Sequence, residues 1–140
     1  MPRARRHVVF RSLADARTAL SAAHLLGVGL VLRTAPGALA YAGAPYLKRV
    51  AEIALDAAPG ADVNLVLDCG ADGVAALAGL RAGWPAVVCA GRPAMGAKIT
   101  DIATQLGARC HTRRPPALDL DGLADPFAAC LAWLERGERR

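Results

Sequence analysis

The chain has 140 residues, of which 54% are hydrophobic, 4% aromatic and 21% charged, with a formal net charge of +5. That length suffices for one sizeable core but not two, and no run reaches the roughly 18 uncharged apolar residues a membrane span needs. The charge does not mark a nucleic-acid binder: Arg3, Arg5, Arg6, Arg136, Arg139 and Arg140 lie at the termini, while 11 basic and 11 acidic residues balance between His7 and Glu135, so the folded body lacks a basic stripe.

The first expected element is a strand over 7–10, followed by a helix that Ser12 caps and Asp15 reinforces. Leu13, Ala16, Leu20 and Ala23 recur at helical spacing, and Gly27 suits a left-handed helix end. Val28 to Leu32 reads as a second strand, and Thr34 to Ala44, with Pro36, Gly37 and Gly43, as a loop with room for one helical turn. Pro45 fits the first turn of a helix carrying Leu47, Val50 and Ala54, which Pro59 and Gly60 end. A third strand runs to Asp68-Cys69-Gly70, a helix covers 72–82 up to Gly83, and Pro85 precedes a fourth strand ending at Cys89. Gly91 to Ala94 reads as a loop before a helix marked by Ile99, Ile102, Ala103 and Leu106, and Gly107 leads to a short fifth strand around Cys110. Pro115 and Pro116 open a linker, and Asp125-Pro126 starts a last helix with Phe127, Cys130, Leu131 and Leu134.

Five strands alternating with five helices imply a single α/β domain over 7–136, between basic tails at 1–6 and 137–140, with a mainly parallel sheet and right-handed crossovers. A flavodoxin-like three-layer sandwich is expected, because an isolated half barrel leaves one sheet face uncovered; a partial βα barrel is the alternative. No secretory pattern follows Met1 to Arg6, so a cytoplasmic location is expected, with the four cysteines reduced.

Strand carboxyl ends in a parallel sheet share the edge where ligands bind, and Asp68, Cys69, Cys89, Cys110 and His111 all fall at such ends. The Gly70 to Gly73 turn leads Cys69 into a helix whose positive end favours a thiolate, while Asp68 beside it opposes that effect. Asp68 reads either as an acid/base or as the cap of a turn, and Cys69 either as a nucleophile or as a small buried hydrophobe. Cys69, Cys89, Cys110 and His111 are ligand types that zinc takes, but no Cys-x-x-Cys pair occurs, so neither a metal nor a cofactor is expected.

The segment from Gly91 to Thr100 resembles a phosphate-binding loop, yet Ala97 separates Gly96 from Lys98 and Ile99 separates Lys98 from Thr100, so nucleotide hydrolysis is not expected. A glycine turn entering a helix beside Arg92 and Lys98 can still hold an anion; the plainer reading is an ordinary strand-to-helix turn. Trp84 and Trp133 have structural readings, at the lower sheet edge and on the rim of the last helix. Arg113-Arg114-Pro115-Pro116 reads as a solvated linker.

The stretch Ala40-Tyr41-Ala42-Gly43-Ala44-Pro45-Tyr46-Leu47, the helix from Val50 to Ala58, then Val66-Leu67-Asp68-Cys69-Gly70 and Ala78-Gly79-Leu80-Arg81-Ala82-Gly83 together resemble one segment of class II fructose-bisphosphate aldolases, over about a third of the chain. In that family a strand-end His-x-Asp-His-Gly supplies a catalytic aspartate and a zinc-binding histidine. Asp68 and Gly70 match it, Val66 replaces its first histidine, and Cys69 stands at the zinc ligand. The resemblance implies a strand-helix unit with Asp68 at its end; the other zinc histidines have no counterpart.

Three classes of function stay open. The expected one is a small-molecule-binding α/β protein that holds an anionic, phosphorylated metabolite at the carboxyl edge through Arg11, Gly70, Cys89, Gly91, Arg92, Gly96 and Lys98. The alternatives are a lyase or aldolase-like enzyme with Asp68 and Cys69 as catalytic residues, or an oligomeric structural or regulatory protein without a ligand. No nucleic-acid or membrane partner is expected. A homodimer is, through the stripe of Phe127, Leu131 and Leu134 with Trp133 beside it.

Overall fold

The computed structural model describes residues 5–138. In chain order its elements are β1 (His7–Phe10), α1 (Leu13–Leu26), β2 (Leu30–Thr34), α2 (Ala44–Asp56), β3 (Val63–Asp68), α3 (Gly73–Arg81), β4 (Ala86–Val88), α4 (Pro93–Gln105), β5 (Arg109–His111), β6 (Ala117–Asp119) and α5 (Pro126–Glu138), with a single 3-10 turn at Ala38–Ala40. The α/β class holds, with six strands in place of the expected five. The sixth, β6, lies where a linker was expected, parallel to β1 with Ala117 opposite His7. No described helix is long and apolar enough to cross a membrane.

Local chemistry accounts for most element ends. Ser12 Oγ accepts the Asp15 amide at 3.2 Å, capping α1, and the Asp15 carboxylate in turn accepts the Arg11 amide at 2.9 Å. At the other end Gly27 adopts φ 68°, a left-handed conformation open to glycine, and the Val28 amide turns back to Ala23 O at 3.0 Å. Val28 is thereby part of the helix cap, and β2 begins at Leu30, two residues later than the expected strand. α4 starts at Pro93, inside the expected loop, because proline in a first turn lacks only an amide that would have no intrahelical acceptor there.

All five strand pairings are parallel, in the order β5-β4-β3-β2-β1-β6. Side chains alternate across the sheet. Leu30, Leu32, Leu65, Leu67 and Val87 join the helices in the main core, while Val31, Val66, Ala86 and Val88 form a second cluster on the opposite face. Strand register puts His7 level with Val31, and His111 level with Val88, so both histidines share that second face with Arg33 and Asp68.

The sheet curls around this second face. β1 and β5 are four places apart, about 19 Å in a flat sheet, yet the His7 and His111 rings meet edge to face with centroids 5.8 Å apart. The segment 112–116 bridges from β5 to β6 over the same face, where Arg33 donates to Pro115 O at 2.9 Å. On the helical face α1 packs against α2 and α5, α2 against α3, and α3 against α4. Trp84, expected at the sheet edge, is fully buried in the main core with its indole N–H donated to Ala44 O at 2.9 Å. Burial of such large apolar side chains, each worth about 1.5–3 kcal/mol, is the principal stabilising term.

The expected tails lie outside the described residues at 1–4 and 139–140. Of the rest, Arg5 pairs with Asp62, and the Arg6 guanidinium sits 3.8 Å over the Trp133 ring, whose N–H is donated to His7 O.

Candidate functional site

Two turns meet at the carboxyl edge, one after β3 and one after β4. The Cys69 amide donates to Val88 O and the Cys89 amide to His111 O, both at 2.9 Å, so the sheet ladder continues one residue past each strand. Beyond it the Ala90 amide donates to Gly70 O at 2.7 Å, locking the turns side by side. Gly70 has φ 59°, a left-handed conformation that favours glycine, and a Cβ on Gly91 would lie 3.0 Å from Ala71 O, tight enough that the backbone would have to shift. Each turn then enters a helix. α3 is capped by Asp72, whose carboxylate accepts the Ala75 amide at 3.0 Å; α4, entered through Arg92 and Pro93, has no side-chain cap.

Asp68 closes β3 on the second face, with its side chain fully buried. Its Oδ1 accepts from the Gly70 amide at 2.9 Å and from Arg114 Nη2 at 3.0 Å, while Oδ2 accepts from Arg114 Nε at 2.7 Å. This two-pronged, charge-assisted pair holds Arg114 above its ordinary pKa. A second guanidinium, Arg33 on β2, approaches with Nε 4.0 Å from Oδ2, at the outer limit of an ion pair. Arg33 is buried, and its Nη1 reaches His7 Nδ1 at 3.2 Å, but its Nε has no hydrogen-bond partner among the described residues. Burial foremost pushes the Arg33 pKa down, and it likewise lowers His7, to about 4, and His111. Both imidazoles are therefore neutral near pH 7, and an acceptor Nδ1 puts the His7 proton on Nε2.

The sequence candidates fall into three groups. Gly70, Cys89, Gly91, Arg92 and Gly96 come together around the paired turns, with Asp68 and Cys69 at the strand end beneath them; Gly96 is buried in α4 so close to Thr112 that a Cβ would lie 3.1 Å from its methyl. Lys98 lies exposed farther along α4. Arg11 stands apart, its guanidinium paired with the Asp119 carboxylate at 2.8 and 3.2 Å beside β6.

The thiols are buried at Cys69, Cys89 and Cys130, half-buried at Cys110, and all four are free. Burial first, then Cys89 and the Asp68 and Asp72 carboxylates, push the Cys69 thiol up to about 12, which disfavours the thiolate. Cys130, in α5, is pushed up to about 11 by burial. Among the described residues no group of three or more His, Cys, Asp or Glu side chains is placed to hold a metal ion. An open cleft of about 880 Å³ lies at the opposite edge, near the start of β2, lined in part by Arg17, Ser21, His24, Gly29 and Asp62.

Arg114 is the main residue that sequence reasoning missed. It stands in the mostly exposed connection between β5 and β6, yet its guanidinium lies on the buried carboxylate, 46 positions from Asp68 in the chain. A usable signal for the buried carboxylate, though not for Arg114 itself, was present in β2, where Arg33 follows the apolar Leu30-Val31-Leu32 and calls for a buried acceptor on its face. No protein-family model matches the chain, and no curated protein matches it.

Proposed function

We propose that the protein binds a small anionic molecule at the carboxyl edge of the sheet, between the paired turns and the first turn of α4. The observation that carries this reading is the start of α4: unlike α3 it has no carboxylate cap, and it opens beside Arg92 next to a turn fixed by Gly70 and Gly91. Free amides at a positive helix end favour an anion there. Lys98 adds positive charge along the same helix. A lyase role for Asp68 and Cys69 has less support, because the carboxylate is engaged by Arg114 and the thiol pKa is high.

The layering of the fold bears on access. The strand order runs without reversal from β5 to β1, and right-handed crossovers in one direction put successive helices on one face. With the packing series α5, α1, α2, α3, α4 and the contact between His7 and His111, this supports the partial βα barrel over the flavodoxin-like sandwich. The carboxyl edge is then the open mouth of a curled sheet.

Thermal unfolding with increasing inorganic phosphate, at constant ionic strength, tests the reading. A ligand binding only the folded state at 100 times its Kd adds about 2.7 kcal/mol, and the shift should vanish in Arg92→Ala/Lys98→Ala. An equal shift in that double variant moves the site elsewhere, and no shift with any small anion refutes the reading.

A further inference from the structure

The site just proposed borders a charge imbalance that its own residues do not resolve, and we propose, resting on that reading, that the outer fork of Arg114 is the group that grips the ligand, through a carboxylate or phosphate oxyanion. A guanidinium has two edges able to form paired hydrogen bonds. Asp68 occupies the Nε/Nη2 edge of Arg114, at 2.7 and 3.0 Å. The Nη1/Nη2 edge is left to a second oxyanion, and the Arg114 side chain is 42% exposed although the carboxylate that fixes it is fully buried. Asp68 thus acts as a positioning residue: it removes the rotational freedom of a long side chain and leaves one edge presented.

Charge supplies the second argument. Two guanidinium groups, those of Arg33 and Arg114, share a single carboxylate, and the Arg33 Nε is buried without an acceptor among the described residues. The histidines on this face are neutral near pH 7, so they add no charge to the excess, and the Asp72 carboxylate is engaged at the α3 amino end. A net positive charge held partly out of water is stabilised by a bound anion. Arg114 also borders the proposed site: a Cβ on Gly70 would lie 4.0 Å from its Nη2, and Thr112, two residues earlier, packs on Gly96 of α4.

The test titrates the full chain, uniformly labelled with 15N, with inorganic phosphate and separately with acetate at constant ionic strength, following the arginine side-chain and backbone amide resonances by NMR and the affinity by calorimetry. The Arg114 Nη resonances should move with saturation, and both Arg114→Ala and Arg114→Lys should weaken binding at least tenfold, lysine because it keeps the charge without the fork. The anion that saturates shows whether a carboxylate or a phosphate group is held. Binding that shifts the backbone amides of Ala94 and Met95 while the Arg114 side-chain signals stay still overturns this inference and leaves the proposed site standing. Binding of neither anion overturns both. The resonance shift is read on the unaltered protein, so a variant that fails to fold does not remove the test.

Discussion

His7 shows how a single side chain can depend on partners far away in sequence. Its Nδ1 meets the Arg33 guanidinium at 3.2 Å, its ring packs on His111, and its carbonyl accepts the Trp133 indole N–H at 2.9 Å. Burial, then Arg33 and His111, bring its pKa down from 6.5 to about 4. Between those values the unfolded chain takes up a proton that the folded chain refuses. The contribution of His7 to stability is therefore full above about pH 6.5 and declines as pH falls towards about 4, by about 3 kcal/mol in all at 1.36 kcal/mol per unit. Urea unfolding at pH 7.5, 5.5 and 4.0 should show this decline, and His7→Gln should flatten it; parallel profiles for the two proteins would refute the assignment. The position of His7 in the first strand was legible from its apolar neighbours. Its neutrality was not, because Arg33 and His111 reach it only through the curl of the sheet.

At the scale of elements, the legible features are those whose cause lies within a few residues. The start of α1 is one, since Ser12 and Asp15 are three apart: Ser12 Oγ accepts the Asp15 amide as expected, while the Asp15 carboxylate takes the Arg11 amide, one residue before the cap, in place of the Ser12 amide. Ser12→Ala should cost about 1 kcal/mol in denaturant unfolding, within the range for a lost helix cap, and an unchanged midpoint would show that the hydroxyl adds nothing. β6 is the opposite case. Its three residues follow a Pro-Pro pair and have no pattern strong enough to name a strand, although Leu118 and Leu120 alternate with Asp119 and Asp121. What makes it a strand is the vacant edge of β1, more than a hundred positions earlier. The same distance hid Arg114: a strap across the second face is invisible until the sheet is known to curl beneath it.

For the molecule as a whole, the repeated strand-end cysteines made it legible that Asp68, Cys69, Cys89 and Gly91 would gather at one edge, and the hydrogen bonds between the two turns gather them. Composition led to a further expectation, a homodimer, because 54% hydrophobic against 21% charged residues leave little polar material to cover a small domain. The fold redirects where that contact should form. In α5, Cys130 and Leu134 are buried and the helix packs on α1, while Trp133 is held by His7 O and flanked by Arg6 and Arg136, so most of the expected stripe is used within one chain. Tyr41 and Tyr46, 71% and 65% exposed around the start of α2, present more uncovered aromatic surface than Phe127 at 38%. Tyrosine is well suited to an interface, combining a large apolar ring with a polar tip. Light scattering at micromolar concentration and moderate salt should give twice the 14.5 kDa chain mass, and Tyr41→Ala/Tyr46→Ala should return it to one chain while Trp133→Ala leaves it doubled. A single-chain mass for the unaltered protein refutes the dimer; loss of the dimer on Trp133→Ala alone restores α5 as the contact.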